Sequence, residues 1–189
     1  MSALNIKKGS TSHSAYELRD PNLQAIESHT LAVLVDNEAG VLARVIGLFS
    51  GRGYNIDSLT VAEVDHKGHR SRITVVTRGT PAVIEQIKHQ LDRMIPVYRV
   101  VDMTLTGRAI ERELAMVKVK GTGDLRMEAL RLSEAFRARV IDATTESFVF
   151  EITGGTAKID QFVNLMVPLG LVEVSRTGVA AISRGPEKM

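Results

Sequence analysis

The chain has 189 residues, 44% hydrophobic and 24% charged, with a formal net charge of +2 and no cysteine or tryptophan. That length suits one large domain or two small ones, because domains cluster at ~100–150 residues and range down to about 50. The absent thiol excludes disulfides, zinc–thiolate sites, iron–sulfur clusters and a cysteine nucleophile, and so small a net charge gives no argument for nucleic acid.

The first 28 residues, MSALNIKKGSTSHSAYELRDPNLQAIES, hold two lysines but no apolar segment of the secretory kind. They read as a flexible polar arm. No apolar run in the chain approaches the ~20 residues of a membrane helix, so no membrane association is expected and the cytoplasm is the expected location. A first unit, residues 29–106, opens with the Val-rich run LAVLV, the pattern of a covered strand. Apolar residues at 41, 42, 45, 46, 48 and 49 then form a helical stripe, which Gly51 or Gly53 can stop. Tyr54 to Val64 reads as a strand, DHKGHR as a hairpin connection and Arg70 to Arg78 as the returning strand. Thr80 and Pro81 make a helix start, followed by the stripe Val83, Ile84, Ile87, Leu91 and Met94. Val97, Val101, Met103 and Leu105 alternate as a last strand.

After a polar linker at 107–112, the same order recurs over 113–189. Leu114 to Val119 is a strand, Leu125, Ala129, Leu132 and Phe136 mark a helix, and Arg139 to Thr145 and Phe148 to Thr153 are strands. A helix opening at Thr156 carries Ile159, Phe162, Val163 and Met166, and Leu171 to Ser175 is a final strand extending to Ile182. The fold class is α+β: two tandem ferredoxin-like βαββαβ domains, each a four-stranded antiparallel sheet with two helices on one face.

Catalytic motifs are missing. GLFSG lacks the spacing of a nucleophile elbow, and the G-x-G at Gly51 and Gly53 has Ile56 where a dinucleotide fingerprint needs glycine. His66 and His69 sit in a charged hairpin turn with no third metal ligand in view, so neither a metal site nor a catalytic residue is assigned. Asp57 and Asp142 recur in the echo NIDSLTV and VIDATTE and are expected at equivalent strand positions, in a structural role. RNA-binding relatives of this architecture stack bases on central-strand aromatics; RSRITVVTR has none, and Phe148 and Phe150 alternate as core residues do.

DNEAGVLARV, Asp36 to Val45, is the remaining candidate. A helix start has unpaired N–H groups and a positive dipole end that attract a carboxylate. Gly40 keeps a side chain away from the N–H groups of Gly40, Val41 and Leu42; Asn37 and Asn55 can accept from an ammonium group; Val41, Leu42 and Ile56 offer an apolar wall. Together they suit a free branched amino acid. Asp, Asn and Gly are also ordinary turn and cap residues, and most such loops bind nothing.

DNEAGVLARV followed by GLFSGRGYNIDSLTV resembles the ACT domain of the acetolactate synthase (acetohydroxyacid synthase) small-subunit family. The similarity continues through RELAMVKV, FRARVIDATTESFVFEITG and VSRTGVAAISRG, from about Ser28 to Gly185. It implies an N-terminal ACT domain, a C-terminal ACT-like domain and a non-catalytic regulatory subunit. The implied partner is a large catalytic subunit carrying thiamine diphosphate, Mg and FAD, with no cofactor on this chain. The implied effector is valine or a related branched-chain amino acid, held by Asn37, Gly40, Val41, Leu42, Asn55 and Ile56 in a homodimer, with Asn55 acting across it. Ala39 departs from the Pro or Ser of many relatives. A free-standing ACT sensor, acting on another enzyme or a transcription regulator, is the alternative.

Overall fold

The computed structural model describes residues 25–105 and 109–186. Most of the expected arm, residues 1–24, lies outside the described residues, as do 106–108 and 187–189.

The first unit comprises β1 (Glu27–Asp36), α1 (Val41–Arg52), β2 (Ser58–Asp65), β3 (Arg70–Gly79), α2 (Pro81–Asp92) and β4 (Val97–Asp102). Its sheet runs β2-β3-β1-β4 with antiparallel neighbours. Alternation along β1 sends Leu31, Val33 and Val35 to one face. There they pack with Val41, Val45 and Phe49 of α1 and with Ile84, Ile87 and Leu91 of α2. Thr80 Oγ1 accepts from the Val83 N–H at 3.4 Å with Pro81 as the first helical residue, the expected start of α2. Gly53, at φ 69°, rather than Gly51, ends α1.

Two expected strands are corrected. The Tyr54-led strand begins only at Ser58. Tyr54 instead packs edge-on against Phe49, with ring centroids 6.1 Å apart, and Thr77 Oγ1 donates to the Asn55 carbonyl at 2.5 Å. In β4 the single alternation through Val97, Val101, Met103 and Leu105 fails, because the register against β1 shifts around Tyr98. Val97 and Val100 face the helices, Val101 and Met103 meet Ala32 on the other face, and Leu105 is exposed.

The second unit comprises β5 (Ala109–Lys120), α3 (Gly123–Ala135), β6 (Arg139–Ala143), β7 (Ser147–Gly154), α4 (Thr156–Met166), β8 (Leu171–Arg176) and β9 (Ala180–Ser183). The order β6-β7-β5-β8 repeats that of the first sheet. Phe148 and Phe150 are buried in its core with Ile159, Phe162 and Met166.

Residues 109–112, expected within the linker, are the first third of β5 and pair with β9 from Ala109↔Ser183 to Arg112↔Ala180. β9 is the expected extension of the last strand, continuing along β5 after the break at Thr177–Val179. Strand geometry prevails over the polar composition because a partner some seventy residues away satisfies the backbone. This ribbon reaches past the second sheet onto the helix-free face of the first, where Ala181 and Ala109 meet Ala32, Met103 and Val101. At the break, Val179 donates its N–H to Ser58 Oγ (2.9 Å) and accepts from Thr60 Oγ1 (3.0 Å).

Candidate functional site

β1 ends at Asp36, and the Asn37 N–H donates to the His69 carbonyl at 2.7 Å, anchoring the loop to the β2–β3 hairpin. Asp36 Oδ1 accepts from the Tyr98 hydroxyl at 2.6 Å. That bond to a carboxylate holds the Tyr98 phenol above its ordinary pKa. Arg44 pairs with Glu38 and donates to the Ile95 carbonyl at 3.0 Å, so one guanidinium ties the loop to the turn before β4.

Gly40 is the N-cap of α1 at φ 84°, with no side-chain cap, and a Cβ there would meet nothing within 4 Å. The left-handed backbone alone therefore accounts for glycine, and the helix end stands open to solvent. The Val41 N–H reaches back to the Glu38 carbonyl at 3.3 Å, so it is not one of the open donors expected. Arg44 makes the first bond to the Gly40 carbonyl, at 3.0 Å. Among the described residues, the N–H groups of Gly40, Leu42 and Ala43 have no acceptor. Val41 is buried and Leu42 half-buried against the helix-side core, which leaves only part of Leu42 as a wall.

Asn55 and Ile56 lie elsewhere. Asn55 is exposed; its side-chain NH2 donates to Asp57 Oδ1 at 2.5 Å, and Asp57 is paired with Arg78 at 2.6 Å. With one of the two N–H donors held by Asp57, the amide oxygen has no partner among the described residues and is an acceptor suited to an ammonium group. Asn55 sits level with Thr77, which is paired with His29, whereas Asn37 follows Asp36 at the far end of β1. Eight strand residues separate the two levels, about 26 Å at ~3.3 Å per residue. One chain thus brings Asn37, Gly40, Val41 and Leu42 together and Asn55 with Ile56, but not the two sets.

Asp57 and Asp142 are not equivalent. Asp57 precedes β2 and donates its N–H to Val76, while Asp142 lies inside β6 opposite Val149. The sequence echo is displaced because β6 pairs with a different part of its neighbour. His66 bonds Glu63 at 3.0 Å, and Asp65 accepts from the Lys67 and Gly68 N–H groups, which depress its pKa, Gly68 first.

A cleft of about 930 Å³ opens between the two units, and none of the six expected effector residues lines it. Asp57, Ser58 and Arg78 face it from the first unit, and Glu113, Asp160 and Arg176 from the second. Arg176 grips the buried Glu113 with two bonds of 2.7 and 2.6 Å and Asp160 with a third of 2.7 Å. The sequence reading missed this cluster, since its members come from three separate elements.

Two family models divide the chain between them: the AHAS small subunit-like ACT domain matches residues 31–99 and the small subunit of acetolactate synthase matches residues 112–185. The chain is 43% identical over 160 residues to the acetolactate synthase isozyme 3 small subunit of Escherichia coli, covering 84% of this chain and 97% of that protein. It is 40% identical over 159 residues to the acetolactate synthase small subunit of Mycolicibacterium smegmatis, covering 84% and 92%. The crystal structure of the acetolactate synthase small subunit from Thermotoga maritima superposes with a TM-score of 0.77 at 36% identity, covering 85% of this chain and 99% of that one. With both halves matched in order and the tandem fold shared, the chain belongs to the family of acetolactate synthase small subunits.

Proposed function

We propose that this chain is the non-catalytic regulatory subunit of an acetolactate synthase, conferring feedback inhibition by valine on a large subunit that forms acetolactate from pyruvate. Thiamine diphosphate, Mg and FAD are assigned to that large subunit. The observation that carries the effector reading is the division of the expected site. A helix end with free N–H groups suits a carboxylate, and an amide oxygen suits an ammonium group, but they stand about 26 Å apart in one chain. A second copy, placed so that its Asn55–Ile56 segment meets the first copy's Gly40 turn, completes an amino-acid site. Valine then favours one dimer arrangement, and it shifts the equilibrium only by its difference in affinity for the two states. Binding of the large subunit must change valine affinity by the same factor.

Calorimetry with valine and leucine on the wild type and Asn55→Ala tests the site, and valine titration of the reconstituted complex tests the role. The expected result is loss of binding in the variant and inhibition in the wild-type complex. Unchanged valine binding in Asn55→Ala removes the site assignment. A reconstituted complex indifferent to every branched-chain amino acid removes the regulatory one.

A further inference from the structure

The helix-free face of the first sheet is covered only in part. The row Thr74–Ala32–Val101, read across β3, β1 and β4, lies under the β5–β9 ribbon, and Thr74 and Ala32 are buried there. The next row is Arg72–Leu34–Arg99, and beyond it stand Arg70 and Asp36. Paired residues share a face, so three arginines gather on this uncovered end, with Arg70 and Arg72 two positions apart on one strand, about 6.6 Å.

None of the three has a carboxylate within ion-pairing distance among the described residues. Asp36 and Asp65 both stand opposite Arg70 by register, but Asp36 accepts from Tyr98, Asp65 accepts from the Lys67 and Gly68 N–H groups, and the Arg70 guanidinium lies over the Tyr98 ring at 4.4 Å. The Nε groups of Arg70 and Arg72 are buried without a hydrogen-bond partner. Arg72 is half-buried, its Nη2 lies 4.0 Å from Met103 Sδ, and burial alone pushes its pKa below the ordinary arginine value. A partly buried guanidinium whose Nε has no acceptor, and which has only a weak thioether acceptor at Nη2, is costly to maintain. Guanidinium forks match carboxylates bidentately. A chain with nearly balanced charge has here concentrated cations, and Arg72 and Arg99 have no acid paired with them across the sheet.

The geometry points to this arginine row, Arg70, Arg72 and Arg99 beside Leu34, as the surface that docks a carboxylate-bearing segment of the catalytic large subunit. The assignment rests on the large subunit being the partner, which membership of this family implies. It also gives the effector loop a short route to the interface. Asn37 directly follows Asp36, so an effector at the Gly40 turn acts on the same end of β1 that carries the docked row.

The test measures binding of the full-length small subunit to its purified large subunit at low and at moderate salt. Wild-type binding settles the partnership independently of the surface. Arg72→Gln with Arg99→Gln is expected to weaken that binding at least tenfold and to flatten its salt dependence, with valine calorimetry unchanged. Ala62→Glu keeps every arginine and places a carboxylate on β2 at the position paired with Arg72. It is expected to raise thermal stability while weakening docking at least fivefold. Wild-type affinity in either folded variant overturns the assignment. Saturable binding of inorganic phosphate that the double variant loses, with large-subunit affinity unchanged, assigns the row to a small anion and overturns it as well.

Discussion

His29 Nδ1 lies 2.8 Å from Asp102 Oδ2, and both side chains are buried, joining the first strand of the fold to the last strand of the same sheet. The other Asp102 oxygen accepts from the N–H groups of Thr104 (3.0 Å) and Leu105 (3.4 Å), so one carboxylate also shapes the turn that leaves the first domain. Asp102→Ala is expected to lower unfolding free energy by about 2 kcal/mol, within what leaving a buried hydrogen-bonding group without its partner costs. Urea denaturation checks this, and a loss below about 1 kcal/mol contradicts it.

Gly178, at φ 82°, sits where an added Cβ would come 2.5 Å from Ser58 Oγ and 3.1 Å from Thr60 Cγ2. Gly178→Ala is therefore expected to loosen the ribbon from the first domain at a cost of about 2 kcal/mol, from backbone strain and crowding together. Faster proteolysis between residues 177 and 183 is the readout. Gly40→Ala has the left-handed backbone without the crowding and should cost only about 1 kcal/mol.

Arg176→Met leaves Glu113 buried without its bidentate partner and should destabilise the second domain by about 2 kcal/mol, allowing for the partial exposure of Arg176. The hydrogen bond to Glu113 raises the Arg176 pKa above its ordinary value. A raised pKa contributes stability that is complete below the unfolded value and disappears only as pH rises through the folded one. The gap between wild type and variant should thus stay constant from about pH 6 to about pH 10 in thermal melts at matched ionic strength.

Asp57 orients the Asn55 amide, so Asp57→Ala lets it turn its NH2 outward. Valine affinity is expected to fall about tenfold, or ~1.4 kcal/mol, in calorimetry on a protein whose melting temperature moves little. Equal affinity would show that Asn55 does not present its oxygen to the ligand.

Much of the fold was legible because its signals are local. Periodicity marked both copies of βαββαβ, and Thr80–Pro81 marked a helix start that the structure keeps. What escaped depends on distant partners. Nothing local separates Ala109–Arg112 from a linker until Ala180–Ser183 pairs with it. The shift at Tyr98 becomes visible only against β1, and GYNI is a loop because Thr77 takes the Asn55 carbonyl. Each half of the candidate site was readable as a motif. That Val41 spends its N–H on Glu38, and that the halves lie at opposite ends of β1, follow only from three dimensions. RSRITVVTR showed its arginines plainly, but whether they are matched depends on which part of the face the ribbon covers.

The seat formed by Ala32, Met103 and Ala181 has a consequence for how the molecule is made. Synthesis runs from the N-terminus and domains generally fold as units in that order. The first domain therefore forms with Ala32 and Met103 still wet, and Ala181 arrives only after the whole second sheet has emerged. A nascent chain halted before residue 180 carries the first domain with its seat empty. Closure of that seat therefore waits on the strand at residues 180–183, and burial of this spot on the first domain depends on the second domain having folded.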